Sequence, residues 1–375
     1  MATACCEIDA AVTGADERTT LRRLRLDAPR ADEVLVRLVA TGVCHTDLNM
    51  LQSPRVPKPI VLGHEGAGVV EAVGSQVRAV APGDRVVLSV ASCGACSACL
   101  QGMPVHCRQA FAMNFAGARL DGSVALHDGG EPVGSHFFGQ SSFASHAVTY
   151  DRNCVRVPDD VPLELLGPLG CGIQTGAGAV INTLALRAGQ SLVVIGAGAV
   201  GLSAVMAGVV VGLDRIVAVD IKPARLNLAR ELGATEVIDA AASDVAAAVK
   251  AIAPEGVDAV IDTSGHAATL KAIVSVLGLR GRLALVNSAK GGDYAFNALS
   301  LITNGRSVVG VSNGDSNPPV FIPQLIAWHK AGRFPFDRLI RFYTLDQIHL
   351  AMADMHEGSA IKPVIRMPEP AHDHH

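Results

Sequence analysis

Val193-Val194-Ile195-Gly196-Ala197-Gly198-Ala199-Val200-Gly201 is the stretch that decides the fold. Its β-branched run predicts a buried strand, and the glycines that follow predict a tight turn opening a helix. At such a junction Gly196 permits the turn, Gly198 lets the backbone approach a pyrophosphate, and Gly201 lets the helix pack closely on the strand. Glycine spacing alone says little in a chain with 38 glycines. The corroborating residue is Asp220, nineteen residues past Gly201 at the end of RIVAVD, where a carboxylate can accept ribose hydroxyls. A 2′-phosphate there would meet a like charge, so NAD is expected over NADP, although Lys222 and Arg225 stand close by and favour a phosphate.

Working outward, strands and helices alternate from about Gln190: SLVVIG, a helix from Val200, RIVAVD, Pro223–Leu232, TEVID, Ala241–Ala253, VDAVIDTSG, Ala267–Leu277, RLALV and SVVGVS. Six strands separated by helices imply a doubly wound parallel sheet, assigned to residues 173–312. From Glu33 to Tyr150 the text differs: short β-branched runs such as VLVRLVATG and GHEGAGVVEAVG are punctuated by glycine and proline, and Pro82-Gly83-Asp84 feeds RVVLSV. That pattern predicts an antiparallel, barrel-like β domain. After Asn313 come two helices, Phe321–Ala331 and Leu345–His356, and a strand at Ile361–Arg366. The parallel sheet already has six strands, so this tail is assigned back to the first domain, giving 1–172 with 313–375.

Composition narrows the function classes. A length of 375 residues suits two domains, and 49% hydrophobic against 18% charged residues excludes disorder for nearly the whole chain. With 31 basic and 35 acidic side chains there is no cationic excess for nucleic acid. The uncharged runs Leu165–Leu186 and Ala188–Leu213 are long enough to suggest a membrane span, but the second carries Gly196, Gly198, Gly201, Gly208 and Gly212, which suit strand, turn and helix better. No membrane association is expected. The opening MATACCEIDA has an early acid and no long apolar segment, so the expected location is cytoplasmic. The terminal His372, His374 and His375 are read as an unstructured end.

Four of the nine cysteines fall within fifteen residues, Cys93, Cys96, Cys99 and Cys107, in a lobe at about 91–110. In a reducing compartment four thiolates on one loop close a tetrahedron around zinc, which makes a structural site with no open position. A second set is dispersed: Cys44 in GVCHTD, His64 with Glu65 in GHEGAG, and Cys171 in LGCGIQTG. Two sulfurs and an imidazole would leave a fourth position for water or an alcohol, but spacing does not join these residues, and a lone cysteine or histidine is commonly a core residue. Cys5, Cys6 and Cys154 have no histidine or acid at ligand spacing and are read as structural or incidental.

GHEGAGVVEAVG, PGDRVV, the four-cysteine lobe, GCGIQTGAGAV and GAGAVGLSAV, in that order, resemble the zinc-dependent medium-chain alcohol dehydrogenases over nearly the whole chain. NFAGARLDGS, FFGQSSFASHAV and FIPQLIAWHKAGRFPFDRLI are similar to the aryl-alcohol (benzyl alcohol) and geraniol dehydrogenase branch. The resemblance implies a GroES-like β-barrel catalytic domain beside the Rossmann domain, two zinc ions per chain, NAD, and oxidation of a primary aryl or allylic alcohol to its aldehyde. It makes Cys44, His64 and Cys171 the catalytic zinc ligands, Glu65 a carboxylate near the metal, Asp47 the acceptor of the free His64 N–H, and Thr46 the hydroxyl taking the alcohol proton. By the same likeness His45 and Lys362 meet the cofactor pyrophosphate, Thr175 and Val200 pack the nicotinamide, and Phe143 joins Thr46 in the substrate pocket. It also implies a homodimer or homotetramer formed through the edge strand near Ser307–Ser312.

One departure stands out: Asn49 occupies the place where many relatives carry a histidine that hands the proton to solvent, and an amide is no general base near neutral pH. His45 or water is the alternative relay. Rival readings are a zinc dehydrogenase acting on a polyol or on hydroxymethylglutathione, and, more remotely, a non-catalytic zinc-binding redox sensor.

Overall fold

The computed structural model describes residues 6–287 and 293–368, so Cys5 and the terminal histidines lie outside it. The chain divides into two compact units: Met1–Cys171 with Asn317–Gln324 and Asp337–His375, and Gly172–Ser316 with Leu325–Phe336. The second unit thus takes in Gly172, residues 313–316 and Leu325–Phe336, which the sequence reading placed in the first. The reason is packing: Leu325, Ile326, Phe334 and Phe336 are buried, and an Arg333 Nη2 donates to the Val210 carbonyl at 2.9 Å.

In the second unit six parallel strands run in the order Glu236–Asp239, Arg215–Asp220, Ser191–Ile195, Val257–Asp262, Leu277–Leu285, Ser307–Gly310. The first strand in sequence is therefore central, with the order reversing beside it, the arrangement that opens a crevice at the carboxyl ends of the strands. Leu192, Val193 and Val194 are fully buried, as expected for a strand covered on both faces. The uncharged run resolves into this strand, a turn and the helix Ala199–Val211, closed by left-handed Gly212. Among the described residues no helix is long and apolar enough to cross a membrane.

Two details depart from expectation. The helix at Ala267 ends at Ile273, and the strand after it begins at Leu277 rather than at RLALV, with an irregular register against Val257–Ala259. A further helix, Ala298–Asn304, was not foreseen; Asn297 caps it by accepting from the Ser300 N–H at 3.0 Å, and Gly305 ends it. That pair was its sequence signature.

The first unit has two sheets around one apolar core. One comprises Ile60–Val61, Cys6–Thr13, Thr19–Leu26, Leu126–Asp128 and Glu131–Val133. The other is centred on Glu33–Gly42, which pairs antiparallel with Gly66–Val73, His146–Tyr150 and the late strand Lys362–Arg366. This central strand ends two residues before Cys44, and Gly66–Val73 begins just after His64 and Glu65. Sheet pairing thereby brings distant chain segments to one place.

Candidate active site

Cys44, His64, Glu65 and Cys171 converge, each offering one ligand atom within 4.8 Å of the others. Cys44 is the N-cap of the short helix His45–Leu51. Cys171 follows the turn Gly167–Gly170, which runs so close to the segment carrying Glu65 that a Cβ on Gly167 would lie 2.2 Å from the Glu65 carbonyl oxygen. Only glycine allows that approach.

Asp47 organises the set from below. Its Oδ1 lies 2.8 Å from His64 Nδ1 and accepts the Gly63 N–H at 3.1 Å, while Oδ2 accepts the Cys44 N–H at 2.9 Å. With Nδ1 engaged, His64 Nε2 is buried and has no hydrogen-bond partner. An orphaned imidazole nitrogen facing two thiol groups is what a zinc ion requires, so the residues present fit the metal. Gln140 holds the same segment, donating from Nε2 to the His64 carbonyl at 3.1 Å and accepting the Gly66 N–H at 3.0 Å. Nothing in the sequence reading had singled it out; a polar residue inside the uncharged run FFGQSSF was the available signal.

Lys362 is the principal surprise of position. Expected at a pyrophosphate, its ammonium is instead buried, donating to both Glu65 oxygens at 2.9 Å and to the Val43 carbonyl at 3.1 Å. Burial pushes the Glu65 carboxyl up, to about 7, against the opposing pull of Lys362, and the charge of Glu65 holds Lys362 well above the usual lysine range despite its burial. The two charges cancel beside a site where two thiolates would balance a zinc ion.

The Thr46 hydroxyl lies 3.8 Å from the Cys44 sulfur and is partly exposed. His45 and Asn49 are both exposed, one turn apart on the same helix. Phe143, by contrast, is drawn into the core with 1% exposure, because its backbone is stitched to Leu62 and Ala11 on both sides. The rings against His64 are those of Phe138, stacked at 4.4 Å, and Phe137, edge-on at 5.7 Å.

The second cluster, Cys93, Cys96, Cys99 and Cys107, also has its sulfurs mutually within 4.8 Å. Cys93 and Cys96 sulfurs lie 3.9 and 3.5 Å from that of Cys99, close to the ~3.8 Å edge of a tetrahedron built on zinc–sulfur bonds of about 2.3 Å. Backbone N–H groups of Ala95 and Cys96 donate to the Cys93 sulfur, which lowers its pKa, and those of Cys93 and Gln109 donate to Cys107. Cys154 is a core residue whose thiol is pushed up by burial, and Cys6 packs on the same core.

In the second unit Asp220 reaches back over the glycine turn: Oδ2 accepts the Ala197 N–H at 2.7 Å and Oδ1 the Lys222 N–H at 2.9 Å. A Cβ on Gly201 would stand 1.8 Å from the Gly196 carbonyl oxygen, whereas one on Gly198 would meet no protein atom within 4 Å. The turn is therefore closed underneath and open above, the cradle a pyrophosphate needs. Arg225 Nη1 is 3.8 Å from Asp220, and its buried Nε has no hydrogen-bond partner. Thr175 lies buried on the helix Gly172–Gly178, whose Gly176 packs against the Val200 carbonyl, so the two expected nicotinamide contacts are brought together.

Known proteins resemble this chain along most of its length. An alcohol dehydrogenase GroES-like domain matches residues 30–159 and a zinc-binding dehydrogenase domain residues 199–329. Geraniol dehydrogenase of Castellaniella defragrans is 48% identical over 345 residues, 91% of this chain and 92% of that protein. Among solved structures, an alcohol dehydrogenase zinc-binding domain protein from Burkholderia ambifaria is 51% identical (TM-score 0.96, 98% of this chain and 100% of that one). Benzyl alcohol dehydrogenase from Acinetobacter calcoaceticus is 45% identical (TM-score 0.94, 97% and 100%). The chain belongs to the zinc-binding alcohol dehydrogenase family.

Proposed function

We propose that this protein oxidises a primary aryl or allylic alcohol to the aldehyde, reversibly, passing a hydride to NAD and releasing a proton. The orphaned Nε2 of His64, converging with Cys44 and Cys171 beside the Thr46 hydroxyl, carries the reading; the names of the two relatives acting on geraniol and benzyl alcohol support the substrate class. A zinc ion held by Cys44, His64 and Cys171 would supply Lewis acidity that lowers the pKa of an alcohol, and NAD would accept the hydride.

The chain's own residues do the rest. Asp47 fixes His64 in the tautomer that presents a bare Nε2. Thr46 can accept the alcohol proton and donate its own outward, since a hydroxyl does both. Beyond it, exposed His45 or water carries the proton to solvent, because Asn49 cannot. Gly196, Gly198 and Gly201 receive the pyrophosphate, and Lys362 lies close to the metal locus; Asp220 and Arg225 border the adenosine ribose, and Thr175 and Val200 the nicotinamide. Asp220 favours NAD, and four thiolates in the lobe make the second zinc structural.

The protein acts as a cytoplasmic homodimer or homotetramer in this reading, a state suggested by the edge strand Ser307–Gly310 and the exposed Leu279, Leu299 and Ile302. Turnover of benzyl alcohol, geraniol, sorbitol and hydroxymethylglutathione with NAD and NADP, alongside zinc analysis, tests it. Activity on the first two with two zinc ions per chain is expected; activity confined to the last two would overturn the substrate class.

A further inference from the structure

The two sets of cysteine ligands differ in how solvent reaches them. His64, Glu65 and Cys171 are buried, whereas Cys93, Cys96 and Cys99 of the lobe are only half-buried. An open cavity of about 470 Å³ lies against the lobe, with Cys93 and Cys96 in its wall. The charged side chains lining it are Arg108, Arg152 and Asp32, so cations outnumber anions there in a chain whose net charge is -4. An anion that enters this cavity meets favourable charge and two metal-binding sulfurs together.

Arg152 is tethered beside those sulfurs. Its Nε donates to the Ser92 carbonyl at 3.1 Å, and its stem lies so close to the turn between Cys93 and Cys96 that a Cβ on Gly94 would stand 2.7 Å from Arg152 Cδ. Glycine at position 94, with φ +69°, serves both the turn and this approach. The sulfur of Cys96, in the cavity wall, has that of Cys99 at 3.5 Å, nearer than the 3.9 Å between Cys93 and Cys99. A reagent that reaches Cys96 therefore finds a second sulfur already placed behind it.

We propose that the Cys93–Cys96 face of the lobe is a thiol–disulfide exchange site for anionic oxidants that carry a reactive S–S bond, drawn in by Arg108 and Arg152, and that exchange there releases the lobe's zinc. The Cys96 thiolate attacks one sulfur of the oxidant, whose S–S bond breaks and frees one sulfur anion. The Cys99 thiolate then attacks the Cys96 sulfur of the mixed species, which closes the Cys96–Cys99 disulfide and frees the second anion. Two electrons pass from the two cysteines to the oxidant, and no proton is taken up or lost. Cys93 and Cys107 are then the only thiolates left, too few to close a tetrahedron. The inference goes beyond alcohol oxidation and shares with it only the zinc assigned to the lobe.

Tetrathionate, a dianion, and 2,2′-dithiodipyridine, which is neutral, carry out the same exchange and so separate charge from reactivity. Zinc-loaded protein treated with either reagent beside a chromogenic chelator should release the lobe's zinc first, and mass spectrometry of the digest should find Cys96 joined to Cys99. The rate of zinc release by tetrathionate, divided by that by dithiodipyridine, should fall roughly 2- to 5-fold in Arg108→Gln and in Arg152→Gln, and rising salt should lower it in the wild type. Arg108 is exposed, so its variant keeps the comparison open even if Arg152→Gln fails to fold. An unchanged ratio in Arg108→Gln, or a first disulfide that leaves out Cys96, would overturn the inference and leave the proposed alcohol oxidation standing. A lobe that holds no zinc before treatment would remove the structural zinc as well.

Discussion

The carboxylate of Asp47 lies 2.8 Å from Nδ1 of His64, and both side chains are fully shielded from solvent. Because the same carboxylate accepts the Cys44 N–H at 2.9 Å, one side chain orients two of the three expected zinc ligands. Asp47→Asn should therefore weaken zinc at this site by about 10- to 100-fold and leave the four-cysteine site loaded. Competition with a chromogenic chelator would read both sites; unchanged affinity at both would remove Asp47 from this role.

Cys44→Ala should cost roughly a thousandfold or more in kcat, since several kcal/mol of charge stabilisation go with the metal. NADH binding should survive, because Gly196, Gly198, Gly201 and Asp220 belong to the other unit. Zinc should drop from two ions to one. Retained turnover would refute the ligand assignment.

The outer proton path separates His45 from water. His45→Gln should flatten the rise of oxidation rate with pH, because it removes the one imidazole on the exposed face of helix His45–Leu51. A pH profile identical to wild type assigns that step to water.

Asp220 makes the cofactor preference testable. Asp220→Ala should reduce the preference for NADH over NADPH by about tenfold or more, by taking away both the ribose acceptor and the like charge, and by freeing Arg225 at 3.8 Å. Fluorescence titration of both cofactors gives the ratio. Wild-type preference for NADPH would reverse the NAD assignment.

Glu33 links a buried ion pair with Arg119 to acid stability. Burial pushes its carboxyl up, but the bonds from His136 and Arg119 outweigh that and hold it at about 2, below the ordinary 4.5. A depressed carboxylate contributes stability that is complete above its unfolded value and is lost as pH falls toward its folded value, so the window is about pH 4.5 down to 2. The contribution is on the order of 3 kcal/mol. Urea unfolding of Glu33→Gln should show that much lost stability at neutral pH and a shallower slope across the window; equal slopes would contradict it.

Much of this was legible before any coordinates. The Gly196–Gly201 spacing with Asp220 and the alternation of strand and helix follow local rules, and the six strands lie where periodicity placed them, apart from the early start at Leu277. Cys93 to Cys107 was legible because its ligands share one loop. Cys44, His64 and Cys171 were joined only through family likeness, since their meeting depends on nonlocal pairing of strands. The Lys362–Glu65 contact, Gln140 and the retreat of Phe143 had no local signature: each is decided by what the tertiary fold packs against it. The helix at Ala298 was written in Asn297 and Gly305 and passed over.

The Lys362–Glu65 pair spans 297 positions of the chain. During synthesis the segments bearing Cys44, His64, Glu65 and Cys171 emerge long before the strand that delivers the ammonium. Until then Glu65 has a carboxylate to bury and no cation to bury it with, and the central strand ending at Gly42 has one neighbour missing. A chain halted short of Lys362 would expose an unfinished sheet margin over an unneutralised acid, so the buried charge of Glu65 is balanced only once the last strand has been made.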